Sequence, residues 1–404
     1  MVLGAAEDPS ERPANNSRER LERRILGPRK GKDEDEIDAA LMDLERLKSR
    51  SDDLDHNGWY GILHADGNGM GRVFQNLSEA YATGEEILRQ EKKLSADLDE
   101  IVWGAVGDAI VEVQRTGPDA GRAKGPNGNT IPYKDWILPI IVGGDDISAV
   151  LSGRMALSFA IALSQAYETR IQTKPDFGGA LRKLAEKKVD VPKKLSLGLG
   201  LIFVKPHHPF SHAIQLAEDL TGMAKKKSDN ASMLAFHVLH EPSVRRWDDL
   251  HSRDEWKPGV PAAPDAAPLV IPVGLRETTD DPSSTRREGP IHHRLFEGTP
   301  TTTLEKLWYL MRLCDSRVPL GEDETRETDA RFSRSSLHRL RAVLSTPAPD
   351  EETYEARIAP VMSQLGLWEK RMKIPLEERD FLRKNRRLLV PALDALDMER
   401  GTAA

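Results

Sequence analysis

The sequence predicts an α+β protein, a ferredoxin-like β-α-β-β-α-β unit followed by a C-terminal helical bundle. Three observations carry this. Apolar, β-branched runs stand at Trp59–Ala65, Trp136–Val142, Ile147–Leu151 and Leu195–Val204, each short enough for a buried strand. Segments with apolar residues three and four apart lie between the first and second runs and between the third and fourth. From Thr303 onward the apolar spacing is helical throughout.

Taken in order, residues 1–32 are polar and charged and read as a disordered leader. Ile37, Ala40, Leu41, Leu44 and Leu47 then mark an amphipathic helix within a segment assigned to 33–57. The ferredoxin-like domain is placed at 58–240. Its first strand is followed by a helical region from about Gly69 to Arg115, with Leu94, Leu98, Ile101, Val102, Ala105, Ala109 and Val113 as the apolar stripe. A polar loop containing Gly-Pro-Asn-Gly at 125–128 leads to a hairpin, then a helix over Met155–Arg170 and a fourth strand. A further helix runs from Ser211, read as its N-cap, to Lys227, and Met233–Leu239 reads as one more strand. Residues 241–302, rich in Pro, Asp, Arg and Thr, read as a linker or irregular excursion. The helical domain spans 303–404, with helices expected at 304–314, 335–344, 354–372 and 377–398.

Composition narrows the function. The chain has 404 residues, 58 Lys and Arg against 65 Asp and Glu, and a net charge of −7. There is therefore no overall basic field to hold long nucleic acid. Its single cysteine, Cys314, excludes an intrachain disulfide or a Cys-rich zinc module. No apolar run approaches the roughly 20 residues that span a bilayer, and the N-terminus lacks a signal-peptide core, so a cytoplasmic location is expected. The basic run Arg379–Arg387 reads as a solvated helix face, and His207 and His208, each beside a proline, as structural or surface residues.

The chemistry-bearing residues cluster at two strand ends. Gly143-Gly144-Asp145-Asp146 joins two apolar runs and puts two adjacent carboxylates at the tip of a hairpin. The first strand runs directly into Asp66-Gly67-Asn68-Gly69-Met70-Gly71. In a ferredoxin-like sheet the first and third strands are neighbours, which brings Asp66 beside Asp145 and Asp146. Hard divalent cations take oxygen ligands, so these acids suit Mg²⁺ or Mn²⁺ with positions left open for phosphate oxygens. Asp146 either completes the site or supports Asp145, because adjacent strand residues face opposite ways. Glycines 67, 69 and 71 let backbone N–H groups approach an anion closely.

These motifs, with Ser196-Leu-Gly-Leu-Gly200, His207–Ala213 and Ala217-Glu218 through Ala224-Lys225, resemble in order and spacing the catalytic palm of the large polymerase-cyclase subunit of type III CRISPR effector complexes, Cmr type. That palm is related to GGDEF and class III nucleotidyl cyclases. The resemblance covers about residues 58–240. It implies a metal-dependent nucleotidyltransferase that makes cyclic oligoadenylate, or a cyclic dinucleotide, from ATP in antiviral defence. It also implies a two-metal site on Asp66, Asp145 and Asp146, the catalytic residues. Nucleotide contacts are implied for Gly67, Asn68, Gly69, Met70, Gly71, Gly144 and Lys225, with Lys225 on the terminal phosphates. Two departures stand out. The family's Asp-Gly-Asp is Asp66-Gly67-Asn68 here, one carboxylate fewer. The family's HD nuclease, second palm and zinc module are not visible, so a single-palm form is expected. It would need a homodimer or a partner protein to supply the opposing palm, with CRISPR effector subunits and guide RNA as further possible partners and no membrane. The rival readings are a non-catalytic palm scaffold of an RNA-guided complex and a diguanylate cyclase-like enzyme, although the hairpin lacks the Glu-Phe ending of that family.

Overall fold

Strand β1 (Tyr60–Gly67) sends alternate side chains to opposite faces, and both faces are buried. Trp59, Leu63 and Ala65 join one apolar core, while Tyr60 and Ile62 join another. This explains why the strand reads as a continuous apolar run, since a strand covered on both sides has no polar face to alternate with. The computed structural model describes residues 58–118, 136–239 except 229, 269–278, 281–287, 292, 300–314, 388–400 and positions 356, 359, 360 and 363. The expected leader and N-terminal helix, and the helices expected at 335–344 and through most of 354–388, lie outside the described residues.

After β1 come α1 (Met70–Gln75), α2 (Leu77–Ala80) and α3 (Gly84–Thr116). Then follow β2 (Ile137–Gly143), β3 (Asp146–Ser152), α4 (Gly153–Gln172), α5 (Pro175–Glu186), β4 (Leu197–Val204), α6 (Phe210–Lys227) and β5 (Met233–Val238). The sheet has six strands in the order β2-β3-β1-β4-β5-β6, where β6 is Leu269–Pro272. β1 is antiparallel to both β3 and β4, β4 is parallel to β5, and β5 is antiparallel to β6. Its first four positions are the ferredoxin-like quartet expected from the sequence, so the mixed α+β fold stands.

One face of the sheet carries α3 and α4, the other α6. Helix α4 is buried nearly all round because α3, the sheet and the C-terminal helix α8 (Leu389–Arg400) pack against it, with α7 (Thr303–Cys314) packed in turn on α8 and β6. Leu304, Leu307, Trp308 and Met311 of α7 and Val390, Leu393 and Leu396 of α8 belong to the same core as the sheet. Each such side chain contributes about 1.5–3 kcal/mol on burial, so these helices are bound into the palm's own core. Among the described residues no helix is long and apolar enough to cross a membrane.

Several expectations are corrected. The helical region from Gly69 to Arg115 is broken in two places. Asn76 turns its side-chain amide back to Arg72 O at 2.8 Å and ends α1. Helix α3 starts afresh at Thr83, whose hydroxyl accepts from Glu86 N at 3.2 Å. Helix α5 has no counterpart in the sequence reading. It opens with Pro175 and buries only Phe177, Ala180 and Leu184. Ser211 is not the N-cap of α6, because the helix begins at Phe210 with Pro209 at the cap. The stretch 241–302 supplies β6, whose apolar Leu-Val-Ile run extends the sheet at β5, and the pair β7 (Leu275–Thr278) and β8 (Asp281–Arg287).

Candidate metal and nucleotide site

The strand geometry itself gathers the acids. β1 and β3 run antiparallel with Ala65 opposite Ile147, and the next step in that register sets Asp66 opposite Asp146. Counting by twos, both stand on the face of Tyr60, Ile62 and Val150, the α6 face. Asp145 is not on the strand. Gly143 pairs with Asp146, so Gly144 and Asp145 are the two central turn residues. Gly144 has φ +62°, a left-handed conformation that the first position of a II′ hairpin turn requires and a side chain resists. Freed from strand alternation, Asp145 reaches the same point as its neighbour. One oxygen from each of Asp66, Asp145 and Asp146 lies within 4.8 Å of the others. Both hairpin acids therefore stand in the group with Asp66.

Three carboxylates this close repel one another, and Asp145 shows it. Its pKa is raised, first by burial and then by Asp66, with a smaller contribution from Asp146. Asp66 and Asp145 are half-buried and Asp146 is exposed. Gly67 lies against the turn, since a β-carbon there would come within 2.9 Å of Asp145 Cβ. The donor set is all carboxylate, and it fits a hard divalent cation of the Mg²⁺ or Mn²⁺ kind.

Lys225 enters from the last turn of α6. One turn earlier Thr221 donates to His64 O at 3.0 Å, fixing the helix to β1. From there the Lys225 ammonium donates to Asp66 Oδ2 and, at 3.3 Å, to Gly67 O. The Leu-Gly-Leu-Gly rhythm of β4 makes room for this. Leu197 and Leu199 face the α4 core, while Gly198 and Gly200 face α6. A β-carbon on Gly198 would sit 2.5 Å from Lys225 Cγ.

Beside the acids is a cavity of about 480 Å³ lined by Asn68, Gly69, Arg72, Lys225, Lys226, Lys227 and Ser228. Asn68 is 1% exposed; its backbone N–H donates to Ser196 O and its side-chain amide to Ser196 Oγ, both at 2.8 Å. Its Oδ1 has no hydrogen-bond partner among the described residues. Of the remaining expected nucleotide contacts, Gly69 takes φ +69° ahead of α1 and lines the cavity. Gly71 and Gly144 have open space where a side chain would go. Met70 is buried in the main core, so only its backbone can face a ligand. His207 is exposed, and His208 and His212 pair with each other at 3.1 Å away from the acids.

Two residues in this neighbourhood escape sequence reasoning. Arg72, paired with Asp190 at 2.9 Å, shares the cavity wall and stands four residues beyond Asn68. Tyr167 of α4 is fully buried, and burial, Asp145 and Asp66 together raise its pKa. Its hydroxyl has no partner among the described residues. It sits in an apolar helical stripe, which conceals it in the sequence.

Residues 59–234 match the family model described as Cas10/Cmr2, second palm domain. No curated protein matches the chain. Among solved structures, the Csm1–Csm4 cassette in complex with cA4 is similar at 17% identity and a TM-score of 0.30, over 50% of this chain and 24% of that one. Csm1 of T. onnurineus is similar at 15% identity and a TM-score of 0.32, over 87% of this chain and 39% of that one. The chain thus spans well under half the length of either solved chain. Residues 59–234 have the fold of a palm of the Cas10 type, with β6 and the C-terminal helices built onto it.

Proposed function

We propose that this chain is a metal-dependent nucleotidyltransferase that makes cyclic oligoadenylate, or a cyclic dinucleotide, from ATP as part of type III CRISPR-linked defence. The observation that carries the reading is the meeting of Asp66, Asp145 and Asp146 within 4.8 Å beside a cavity walled by Arg72, Lys225, Lys226 and Lys227. Acids for a cation adjoin bases for a polyphosphate. Asp66 and Asp146, opposite each other on one sheet face, and Asp145 from the turn would hold the divalent cation. When bound, such a cation acidifies an attacking hydroxyl and offsets charge on a departing pyrophosphate.

The chain's own residues do the positioning. Lys226, Lys227 and Arg72 supply charge to the phosphates, and Gly69 lets the backbone approach them closely. Helix α6 is held to the sheet at His64 by Thr221, which sets the height of the lysine row above the acids. Two nucleotides have to meet, so we assign the second to an opposing face, given by a second copy of this chain or by an effector partner.

The test is to incubate the purified chain with each NTP and Mn²⁺ or Mg²⁺ and identify products by mass spectrometry. Cyclic adenylate products that vanish in the Asp145→Ala, Asp146→Ala double variant are expected. Equal turnover in that variant, folded by circular dichroism, overturns the reading.

A further inference from the structure

The acid group contains a cation of its own. Lys225 donates to Oδ2 of Asp66, a member of the acid group, and to Gly67 O. A divalent ion ligated by the same carboxylate would stand a few ångströms from that ammonium, and two positive charges at that separation repel. The stem of Lys225 lies across Gly198, and a β-carbon placed on Gly198 would be 2.5 Å from Lys225 Cγ, 3.4 Å from its Cε and 3.3 Å from Asn68 Oδ1. The lysine stem and that oxygen therefore flank one point. Asn68 lines the adjoining cavity, and its buried Oδ1 has no hydrogen-bond partner among the described residues. A buried acceptor without a donor costs free energy until one arrives.

We infer that the Lys225 ammonium is the resident counter-ion of the acid group, that a divalent cation displaces it, and that the displaced lysine turns into the cavity to donate to Asn68 Oδ1. The inference rests on the metal reading of Asp66, Asp145 and Asp146. Its consequence is coupling. Each cation that binds moves one positive charge from the acids to a cavity already lined by Arg72, Lys226 and Lys227, so metal favours polyphosphate there. By linkage, polyphosphate favours metal to the same degree. It also gives Asn68 a role that a carboxylate at this position would perform differently. An aspartate would hold the lysine by charge, whereas the neutral amide receives it and releases it.

The experiment measures Mn²⁺ binding to the full chain, without nucleotide, by electron paramagnetic resonance of free Mn²⁺. Lys225→Met is expected to tighten Mn²⁺ binding about two- to fivefold, the size of a partly exposed ion pair. Lys225→Gln, which keeps the stem over Gly198, is expected to do the same and serves if methionine disturbs packing. Asn68→Ala is expected to weaken Mn²⁺ binding in the Lys225 chain and to have no effect in the Lys225→Met chain, a non-additive pair. Asp145→Asn is expected to lose Mn²⁺ in every background. Unchanged or weaker binding in both Lys225 variants, with Asp145→Asn still losing the metal, overturns the inference and leaves the metal reading standing. Equal effects of Asn68→Ala in both backgrounds remove Asn68 as the receiver. Mn²⁺ binding that ignores Asp145→Asn overturns the metal reading and the inference with it.

Discussion

Asp66 and Asp146 lie one step beyond Ala65 and Ile147, the last pair of the β1–β3 ladder, and a carboxylate oxygen of one stands within 4.8 Å of one from the other. Like charges directly opposite in a sheet are destabilising, and a third acid in the adjoining turn adds to the repulsion. A fold that places three acids together sacrifices stability there, as sites that bind cations do.

The cost is readable through pH. The Asp145 carboxyl is raised above its ordinary value of 3.8, so the native chain holds that proton more tightly than the unfolded chain. Stability therefore falls as pH rises from the ordinary Asp value through the raised one, and the loss is complete above it. Asp145→Asn is expected to melt higher than the natural chain at neutral pH in the absence of metal. That advantage should close as pH falls through the window, and paired thermal melts across pH check it.

Close packing of α6 on β4 gives a second outcome. A β-carbon on Gly200 would lie 2.0 Å from Ala217 O and 2.6 Å from Thr221 N. Gly200→Ala should destabilise by at least about 1–3 kcal/mol, since the helix backbone has to move away from the sheet. Gly178 in α5 meets nothing within 4 Å, and Gly178→Ala should stabilise by about 0.4–1 kcal/mol. Urea unfolding of the two variants measures both signs.

How much of this was legible in the sequence follows from where each signal lies. The strands of the quartet showed because both their faces are buried, and the acids because glycine turns bracket them. Helix α5 did not show, since its two consecutive glycines and three buried side chains give a short, weak stripe. β6 is four residues in a Pro-rich stretch, and only the edge of β5 makes it a strand. In the sequence Lys225 is indistinguishable from Lys226 and Lys227. Its contact with Asp66 exists because the helix phase set by Thr221 turns it, and not its neighbours, toward β1. Asn68 read as a lost ligand, whereas its pairing with Ser196 is long-range and has no linear trace.

Trp308 tests the unity of the palm and its C-terminal helices. It is fully buried in the core shared with the sheet. Trp308→Ala should cost about 3–5 kcal/mol and lower the melting of the palm itself, in one transition. Two separate transitions, with the palm's unmoved, would show that α7 folds independently.

Tyr167 predicts the opposite sign. Its hydroxyl is buried without a partner among the described residues, so Tyr167→Phe removes a desolvated polar group and fills the same space. The variant should be as stable as the natural chain or more so, by thermal melt. A loss above about 1 kcal/mol would show that the hydroxyl is bonded in solution.

Among the described residues strand β2 is an edge of the six-stranded sheet, and Ile140 and Ile141 are exposed on it. Pro139 carries no N–H, and the register shifts between Pro139 and Ile141. A foreign strand approaching here meets a missing donor and a kink within three residues, so it cannot zip along the whole length. The hairpin that presents Asp145 is thereby kept from templating fibrils through its own sticky border, and its tip stays accessible to solvent-borne ligands.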